Sequence, residues 1–211
     1  MTRIRHALLA AVLMAAPAGA QVQLDDEAAP LDLLSLGLAA SRTDGMLGDH
    51  LGASVRVLRR LDDTGWLRLR VEAGVLLHGR ESFSVPNSDS EMRLTNTLAF
   101  AGVGPQVQLP RGPVRPYIHA FAGMHYLFTR ADNVGQDEGN DPVEITTTYE
   151  TGTWSWGGGA GVYVPVSRGV LIDAGLTWRE GGEVNFSSFE SGFGRTETDL
   201  RVAHLAVTFE L

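Results

Sequence analysis

The sequence predicts an all-β chain that folds as an eight-stranded antiparallel up-and-down barrel. Three observations predict it: apolar residues recur with a period of two, the alternation falls into eight segments, and short turns alternate with long polar loops. The period is clearest in residues 66–78, where only leucine, valine and alanine occupy the odd positions while arginine, glutamate and glycine occupy positions 68–74 between them. Eight strands joined in sequence can close into a barrel that has no free edges.

The eight segments are bounded by turn chemistry. Short turns fall at 61–65 (LDDTG), 110–113 (PRGP) and 167–169 (SRG), and their Asp, Pro and Gly residues are typical of hairpins. In the fourth segment the apolar residues change parity, which we interpret as a bulge or register change near Gly102–Pro105. The predicted strands are 32–41, 49–60, 66–79, 92–109, 114–129, 151–166, 169–180 and 198–211, and the predicted long loops are 42–48, 80–91, 130–150 and 181–197.

Composition excludes several classes of protein. A chain of 211 residues suits one domain, and the absence of cysteine excludes disulfides, thiolate zinc sites and cysteine catalysis. The 17 basic residues, all arginine, are outnumbered by 25 acidic ones, and the formal charge of −8 argues against nucleic acid as a partner.

The first 20 residues have the pattern of an export signal. Arg3 and Arg5 precede an apolar stretch at 7–16, and a small-x-small site ending at Ala20 predicts cleavage before Gln21. Residues 21–30 then form a short periplasmic N-terminal tail, and the barrel domain occupies 31–211. No later stretch is apolar for long enough to form a membrane-spanning helix.

The two faces of the strands decide between a membrane barrel and a soluble one. One face is almost purely aliphatic and aromatic, whereas the other is rich in glycine with a few charges, which suits the narrow lumen of a small barrel. Five aromatic residues fall on the apolar face near one rim, as in the aromatic girdle at a membrane interface. They are Tyr126, Phe128, Trp154, Trp156 and Trp178. The sequence therefore predicts a transmembrane β-barrel; the alternative is a secreted or periplasmic soluble barrel that carries a small apolar ligand.

The last strand carries a resemblance to known proteins. Leu205, Val207, Phe209 and Leu211 alternate up to the final residue, which resembles the C-terminal insertion signal of bacterial outer-membrane barrels. Together with the signal peptide and the loop pattern, this resembles the small outer-membrane barrel families of the OmpA/OmpX and opacity-protein type. The resemblance covers 31–211 and includes the stretches Val114–Tyr126 and Ala174–Phe186.

The resemblance implies a location in the bacterial outer membrane and a structural or surface-interaction role, as an anchor, adhesin, surface antigen or narrow porin-like pore. The partners it implies are outer-membrane lipid and the barrel-insertion machinery. We expect a monomer without a cofactor.

The predicted lumen collects charged residues that must be paired or kept wet. We interpret them as a salt-bridge network that plugs the barrel. The alternative is an ion gate in which arginine and glutamate exchange partners, since Arg68, Arg70 and Glu72 share one inward face. The predicted network consists of Arg56, Arg68, Arg70, Glu72, Arg115, Asp173, Arg179 and Glu210, accompanied by His119, His125 and His204.

No enzymatic or metal site is predicted. Ser155, His125 and Asp173 could all face the lumen, but the serine has no activating context, so we expect no catalytic residues. His119 and His125 would lie ~20 Å apart along one strand, too far to share a metal ion. The acidic loop 130–150 is interpreted as a solvated segment; cation bridging to anionic lipid is the alternative, although the loop lacks the regular ligand spacing of a calcium site.

Overall fold

A computed structural model describes residues 32–42, 49–84, 90–135, 146–188 and 192–211. The predicted signal peptide 1–20, the predicted tail 21–30 and residues 136–145 of the acidic loop 130–150 lie outside these residues. The described residues contain no helix long and apolar enough to cross a membrane.

Eight strands form a closed antiparallel barrel, which confirms the predicted fold class. Each barrel strand pairs with the next barrel strand along the chain, so that β7 pairs with β10 across the two strands of a separate hairpin. Pairing of β10 with β1 closes the barrel. The barrel strands are β1 (Asp32–Arg42), β2 (Asp49–Arg60), β3 (Leu67–Ser84), β4 (Ser90–Gln108), β5 (Arg115–Gly135), β6 (Thr146–Ser167), β7 (Val170–Gly181) and β10 (Leu200–Glu210). Two further strands, β8 (Glu183–Ser188) and β9 (Gly192–Glu197), form a separate hairpin.

The short turns depend on glycine and on one capping aspartate. Gly65 and Gly169 have φ of 77° and 73°, a conformation that other residues adopt only at a cost. In the first turn the carboxylate of Asp62 accepts hydrogen bonds from the Thr64 hydroxyl and, at 2.9 Å, from the backbone N–H of Leu67. The hydrogen bond from Thr64 lowers the pKa of Asp62. These contacts fix the register of the β2–β3 hairpin.

Four strands extend further at the long-loop end than predicted. The strands β3 to β6 contain 18, 19, 21 and 22 residues, more than the ~9–11 residues that span a bilayer. The predicted loops 80–91 and 130–150 are therefore partly strand. Alternation disappears there because a strand that projects beyond hydrocarbon has no apolar face to maintain, although its backbone pairing continues.

The segment 181–197, predicted as a loop, contains the β8–β9 hairpin. The side chain of Val184 in this hairpin is buried with residues of the barrel interior. The hairpin therefore folds over the long-loop end of the lumen. Alternation was too short in this segment to distinguish two six-residue strands from a polar loop.

The interpretation of a bulge near Gly102–Pro105 is wrong. Pairing with β3 runs without a shift from Leu67↔Val107 to Leu77↔Thr97, and the irregularity falls between Leu77 and Arg80. The change of parity has another cause, because Leu98 and Phe100 are apolar residues that face the lumen. A lumen that accepts large apolar side chains hides the alternation on which the interpretation relied.

Candidate functional site in the lumen and at the outer rim

The side chains of the predicted charge network face the lumen of the barrel. Seven of its eight members are buried, and Glu210 at the short-turn end is half-buried. The set comes from five strands, so it converges only when the barrel closes. Its members are Arg56 on β2, Arg68, Arg70 and Glu72 on β3, Arg115 on β5, Asp173 and Arg179 on β7, and Glu210 on β10.

Glu72 is the centre of one cluster. Its Oε2 accepts hydrogen bonds from Arg70 at 2.7 Å (Nη2) and 3.2 Å (Nε), while its Oε1 lies 3.1 Å from Nη2 of Arg179. Arg70 also donates to Oε1 of Gln106 at 3.2 Å. One buried carboxylate therefore holds two guanidinium groups, an arrangement that offsets the cost of burying them.

Asp173 is the centre of a second cluster. It accepts hydrogen bonds from Nη1 of Arg56 at 2.6 Å and from the hydroxyl of Tyr117 at 2.8 Å. The ring of His204 lies 2.9 Å from that hydroxyl, and its Nε2 lies 3.5 Å from Asp173. A separate pair, Arg115 and Glu210 at 2.5 Å, lies at the short-turn end.

Arg179 is also held by aromatic rings. Its guanidinium carbon lies 4.3 Å from the ring centroid of Phe100 and 4.2 Å from that of Phe121. Both rings attract the cation through their π faces, which stabilises a buried arginine.

Two apolar clusters are interspersed with these polar groups. Towards the short-turn end the buried cluster consists of Leu33, Leu58, Tyr117, Tyr163 and Leu171. Towards the long-loop end, where the β8–β9 hairpin folds over the lumen, it consists of Ala39, Leu76, Leu98, Phe100, Leu127, Val184, Leu200 and Val202. The clusters share the level of the charged groups, since Leu58 lies opposite Arg70 and Leu200 lies opposite Arg179. The described lumen is thus filled by charged and apolar side chains packed together.

The predicted girdle residues lie together on the outer face. The three adjacent strands β5, β6 and β7 carry them near the long-loop end, and Trp154 and Trp156 are exposed by 76% and 60%. Trp178 and Tyr126 are exposed as well, and Phe128 is half-buried beside Tyr126, with ring centroids 6.3 Å apart. The Tyr126 hydroxyl donates to Glu150.

The terminal strand also presents its alternate residues outward. Leu205, Val207 and Phe209 on β10 are exposed, and Leu211 follows the strand. Because β10 pairs with both β1 and β7, this strand closes the barrel.

Sequence reasoning missed the uncharged members of the lumen clusters. Tyr117 and Phe121 share the parity of Arg115 and His119, which were predicted to face inward on the same strand, so parity alone could have found them. No inward residue was predicted on β4, so Gln106 had no such signal. The possible triad is not assembled: His125 contacts Thr198 at 3.1 Å, while Asp173 is engaged by Arg56 and Tyr117. Within the described ranges, no three His, Asp or Glu residues are grouped as a metal site would require.

The distribution of side chains defines a class of protein. Leu67, Val71 and Leu205 are exposed, whereas Arg68 and Glu72 are buried, which is the arrangement of a membrane barrel and the reverse of a soluble carrier. This contradicts the alternative of a soluble barrel with an apolar ligand. A family model described as outer membrane protein beta-barrel domain matches residues 7–202, and the chain belongs to this family. The family places it in the bacterial outer membrane.

Several solved structures are similar to this chain at low sequence identity. Neisserial surface protein A is 19% identical, with 88% of this chain and 100% of that chain covered and a TM-score of 0.48. The attachment invasion locus protein of Yersinia pestis is 14% identical, with 84% and 94% covered and a TM-score of 0.49. The N-terminal β-barrel domain of Pseudomonas aeruginosa OprF is 15% identical, with 85% and 97% covered and a TM-score of 0.36. Among curated protein sequences, none matches the chain.

Proposed function

We propose that this protein is a monomeric outer-membrane barrel with a structural or surface-interaction role and a plugged lumen, without catalytic activity. The observation that carries the proposal is the filled interior. Buried ion pairs centred on Glu72 and Asp173 lie among two buried apolar clusters. An ion crossing this interior would have to pass buried apolar side chains and displace a buried pair, and each step is costly.

A second candidate function is a gated ion path, and one contact favours it. Glu72 touches both Arg70 and Arg179, so it could release one guanidinium while keeping the other. In this case, which of the two guanidinium groups pairs with Glu72 would determine whether a narrow water path forms.

Planar-bilayer recordings distinguish the two candidates. A plugged lumen predicts that wild type, Glu72→Gln and Glu72→Ala all leave the conductance at the level of the bare bilayer. Heat-modifiable gel mobility establishes that each variant is folded. Reproducible conductance steps in the wild type would contradict the plug, and a change of those steps in Glu72→Ala would support the gate.

Export and assembly complete the proposal. The signal peptide 1–20 directs export and is removed before Gln21, and the alternate residues Leu205, Val207, Phe209 and Leu211 engage the barrel-insertion machinery. N-terminal sequencing of the protein from outer membranes should begin at Gln21. A chain that begins at Met1 would contradict cleavage.

A further inference from the structure

Three buried side chains on adjoining strands of the lumen wall have polar atoms without a hydrogen-bond partner among the described residues. The atoms are Nε and Nη1 of Arg179 on β7, Oγ of Ser155 on β6 and Nε2 of His125 on β5. The three residues are exposed by only 1%, 3% and 0%. A buried polar group that makes no hydrogen bond costs free energy, so the interior of a folded protein normally supplies a partner from protein, water or an ion.

Strand register brings these three side chains to one part of the lumen. Ser155 lies directly opposite Gly123 on β5 and Gly181 on β7, and neither glycine has a side chain to separate it from its surroundings. His125 and Arg179 are the next inward residues on those two strands, which is within the diagonal reach of long side chains. A methyl group added at Gly181 would lie 2.9 Å from Nδ1 of His125, so the imidazole reaches the direct neighbour of Ser155.

The hydrogen bonds of Thr198 determine which atom of the imidazole carries a proton. The Thr198 hydroxyl donates to the carbonyl oxygen of Gly182 at 3.1 Å, so its oxygen accepts from Nδ1 of His125, 3.1 Å away. Nε2 of the neutral ring therefore keeps a lone pair. Arg179 offers only N–H donors, and the Ser155 hydroxyl can donate or accept. A ligand at this place must accept from arginine and leave a donor for histidine.

The charges in the middle of the lumen favour an anion as that ligand. The two carboxylates there, Glu72 and Asp173, are contacted by three guanidinium groups, those of Arg56, Arg70 and Arg179. Arg179 has to share Glu72 with Arg70, and the phenylalanine rings beside it attract the cation without neutralising it. One buried positive charge is therefore in excess, which is costly unless an anion accompanies it.

The other described charges do not remove this excess. Arg115 pairs with Glu210 at the short-turn end, where Arg68 also lies and has contacts of its own. Glu180 and Asp199 are exposed, so they do not share the buried environment of Arg179. The compensating charge has to come from outside the chain.

We propose that the lumen binds one small monovalent anion, of the size of chloride, beside Arg179 and Ser155. Nε–H and Nη1–H of Arg179 and the Ser155 hydroxyl donate to the anion. A water molecule donates one hydrogen to the anion and the other to Nε2 of His125, so each of the three groups gains a partner. The narrow lumen of an eight-stranded barrel favours a small anion, and the single excess charge favours a monovalent one.

This inference rests on the proposed plug, because the anion is held by side chains that fill the lumen. The two proposals nevertheless fail separately. Conductance steps in a protein that binds the anion would contradict the plug alone, whereas a silent bilayer with a protein that ignores halides would contradict the anion site alone.

Bromide locates the site directly. Crystals of the full-length mature protein are grown with sodium bromide as the only halide salt, and anomalous diffraction is measured at the bromine absorption edge. We expect one anomalous peak inside the lumen, in contact with the Arg179 guanidinium and the Ser155 hydroxyl. A lumen that contains only water, or bromide found only at exposed arginines, would overturn the proposal.

Chloride dependence of unfolding tests the site in solution. The protein is refolded into lipid vesicles in sodium gluconate, whose anion is too large for the site, and chloride replaces gluconate at constant ionic strength during urea titrations. A ligand that binds only the folded protein lowers the unfolding equilibrium constant about tenfold for each tenfold rise in its concentration above the dissociation constant. An unfolding constant that does not respond to chloride would contradict binding.

Matched variants assign the chloride effect to these side chains. Arg179→Met removes the charge while Glu72 keeps Arg70 as its partner, and it should abolish the response to chloride. Ser155→Ala removes one donor and should weaken the response at least threefold, which keeps the test decisive if Arg179→Met does not fold. The control is Ser35→Ala, a buried lumen serine whose hydroxyl lies 2.6 Å from that of Thr208, and it should respond to chloride like the wild type. An equal response in Ser155→Ala and Ser35→Ala would exclude this site.

Discussion

The inner and outer faces of the barrel wall obey different rules of packing. On the outer face, Leu38, Leu51 and Leu176 are exposed by 71%, 71% and 66%, and each needs only hydrocarbon as a neighbour. On the inner face, Arg56 needs Asp173 and Arg115 needs Glu210, because a buried charge has to be paired. Apolar residues of the outer face can therefore replace one another, whereas each charged residue of the inner face depends on a particular partner.

The largest expected effect comes from breaking an inner-face ion pair. Asp173→Ala leaves Arg56 buried without its carboxylate: Nη1 loses its bond to Asp173, and Nε and Nη2 have no hydrogen-bond partner among the described residues. We expect the free energy of unfolding to fall by about 3–5 kcal/mol, the range for a buried pair that loses one member. Urea unfolding in lipid vesicles, followed by tryptophan emission, measures the loss.

Asp63→Ala is the matched control, since Asp63 is an exposed carboxylate in the first short turn. It should change the free energy of unfolding by no more than about 0.5 kcal/mol. If the two substitutions destabilise the protein equally, the inner face does not depend on its ion pairs.

The second effect tests the outer face directly. Leu38 lies in the middle of β1, opposite Ala53 on β2 and Leu205 on β10, and is exposed. Leu38→Arg should lower the free energy of unfolding by about 2–4 kcal/mol, because it places a charge at the middle of the hydrocarbon. The same vesicle-based urea titration measures it.

Two comparisons sharpen this measurement. Leu38→Met keeps the apolar character and should cost less than about 1.5 kcal/mol. Leu61→Arg lies in a short turn at the rim and should cost about 0–1 kcal/mol. A cost for Leu61→Arg that equals that of Leu38→Arg would mean that depth in the membrane does not govern the outer face.

The sequence predicts this fold well because period-two alternation is a local property. The parity of residues 66–78 places Leu69 and Val71 outside and Arg70 and Glu72 inside, and the structure has them there. Turn chemistry works equally well at Gly65 and Gly169, where only a few neighbouring residues decide the backbone. Both signals can be recognised in the sequence without any knowledge of the tertiary structure.

Partners across the lumen are beyond this kind of reasoning. Parity assigns Arg56 and Asp173 to the same interior, but their contact joins positions 117 residues apart. Which inward residues meet depends on the tilt and stagger of the closed barrel, which no local pattern records. For the same reason the contacts of Arg179 with the rings of Phe100 and Phe121 could not be predicted.

The smallest expected effect compares one substitution on the two faces of a single strand, β6. A methyl group added at Gly161 would meet the Tyr117 hydroxyl and would lie 2.6 Å from the carbonyl oxygen of Ala174. Tyr117 cannot move away freely, because it donates to Asp173 and contacts His204. Gly161→Ala should therefore lower the free energy of unfolding by about 1–3 kcal/mol, as overpacking does.

Gly152, on the outer face of the same strand, is the matched position. There the added methyl group would meet only the exposed ring of Tyr126, at 3.3 Å, and a carbonyl oxygen at an ordinary 3.6 Å. Gly152→Ala should leave stability unchanged or raise it by about 0.4–1 kcal/mol, because alanine reduces the freedom of the unfolded chain. Equal losses at both positions in urea titrations would mean that the glycines of β6 serve the backbone of the strand, and not the space inside the barrel.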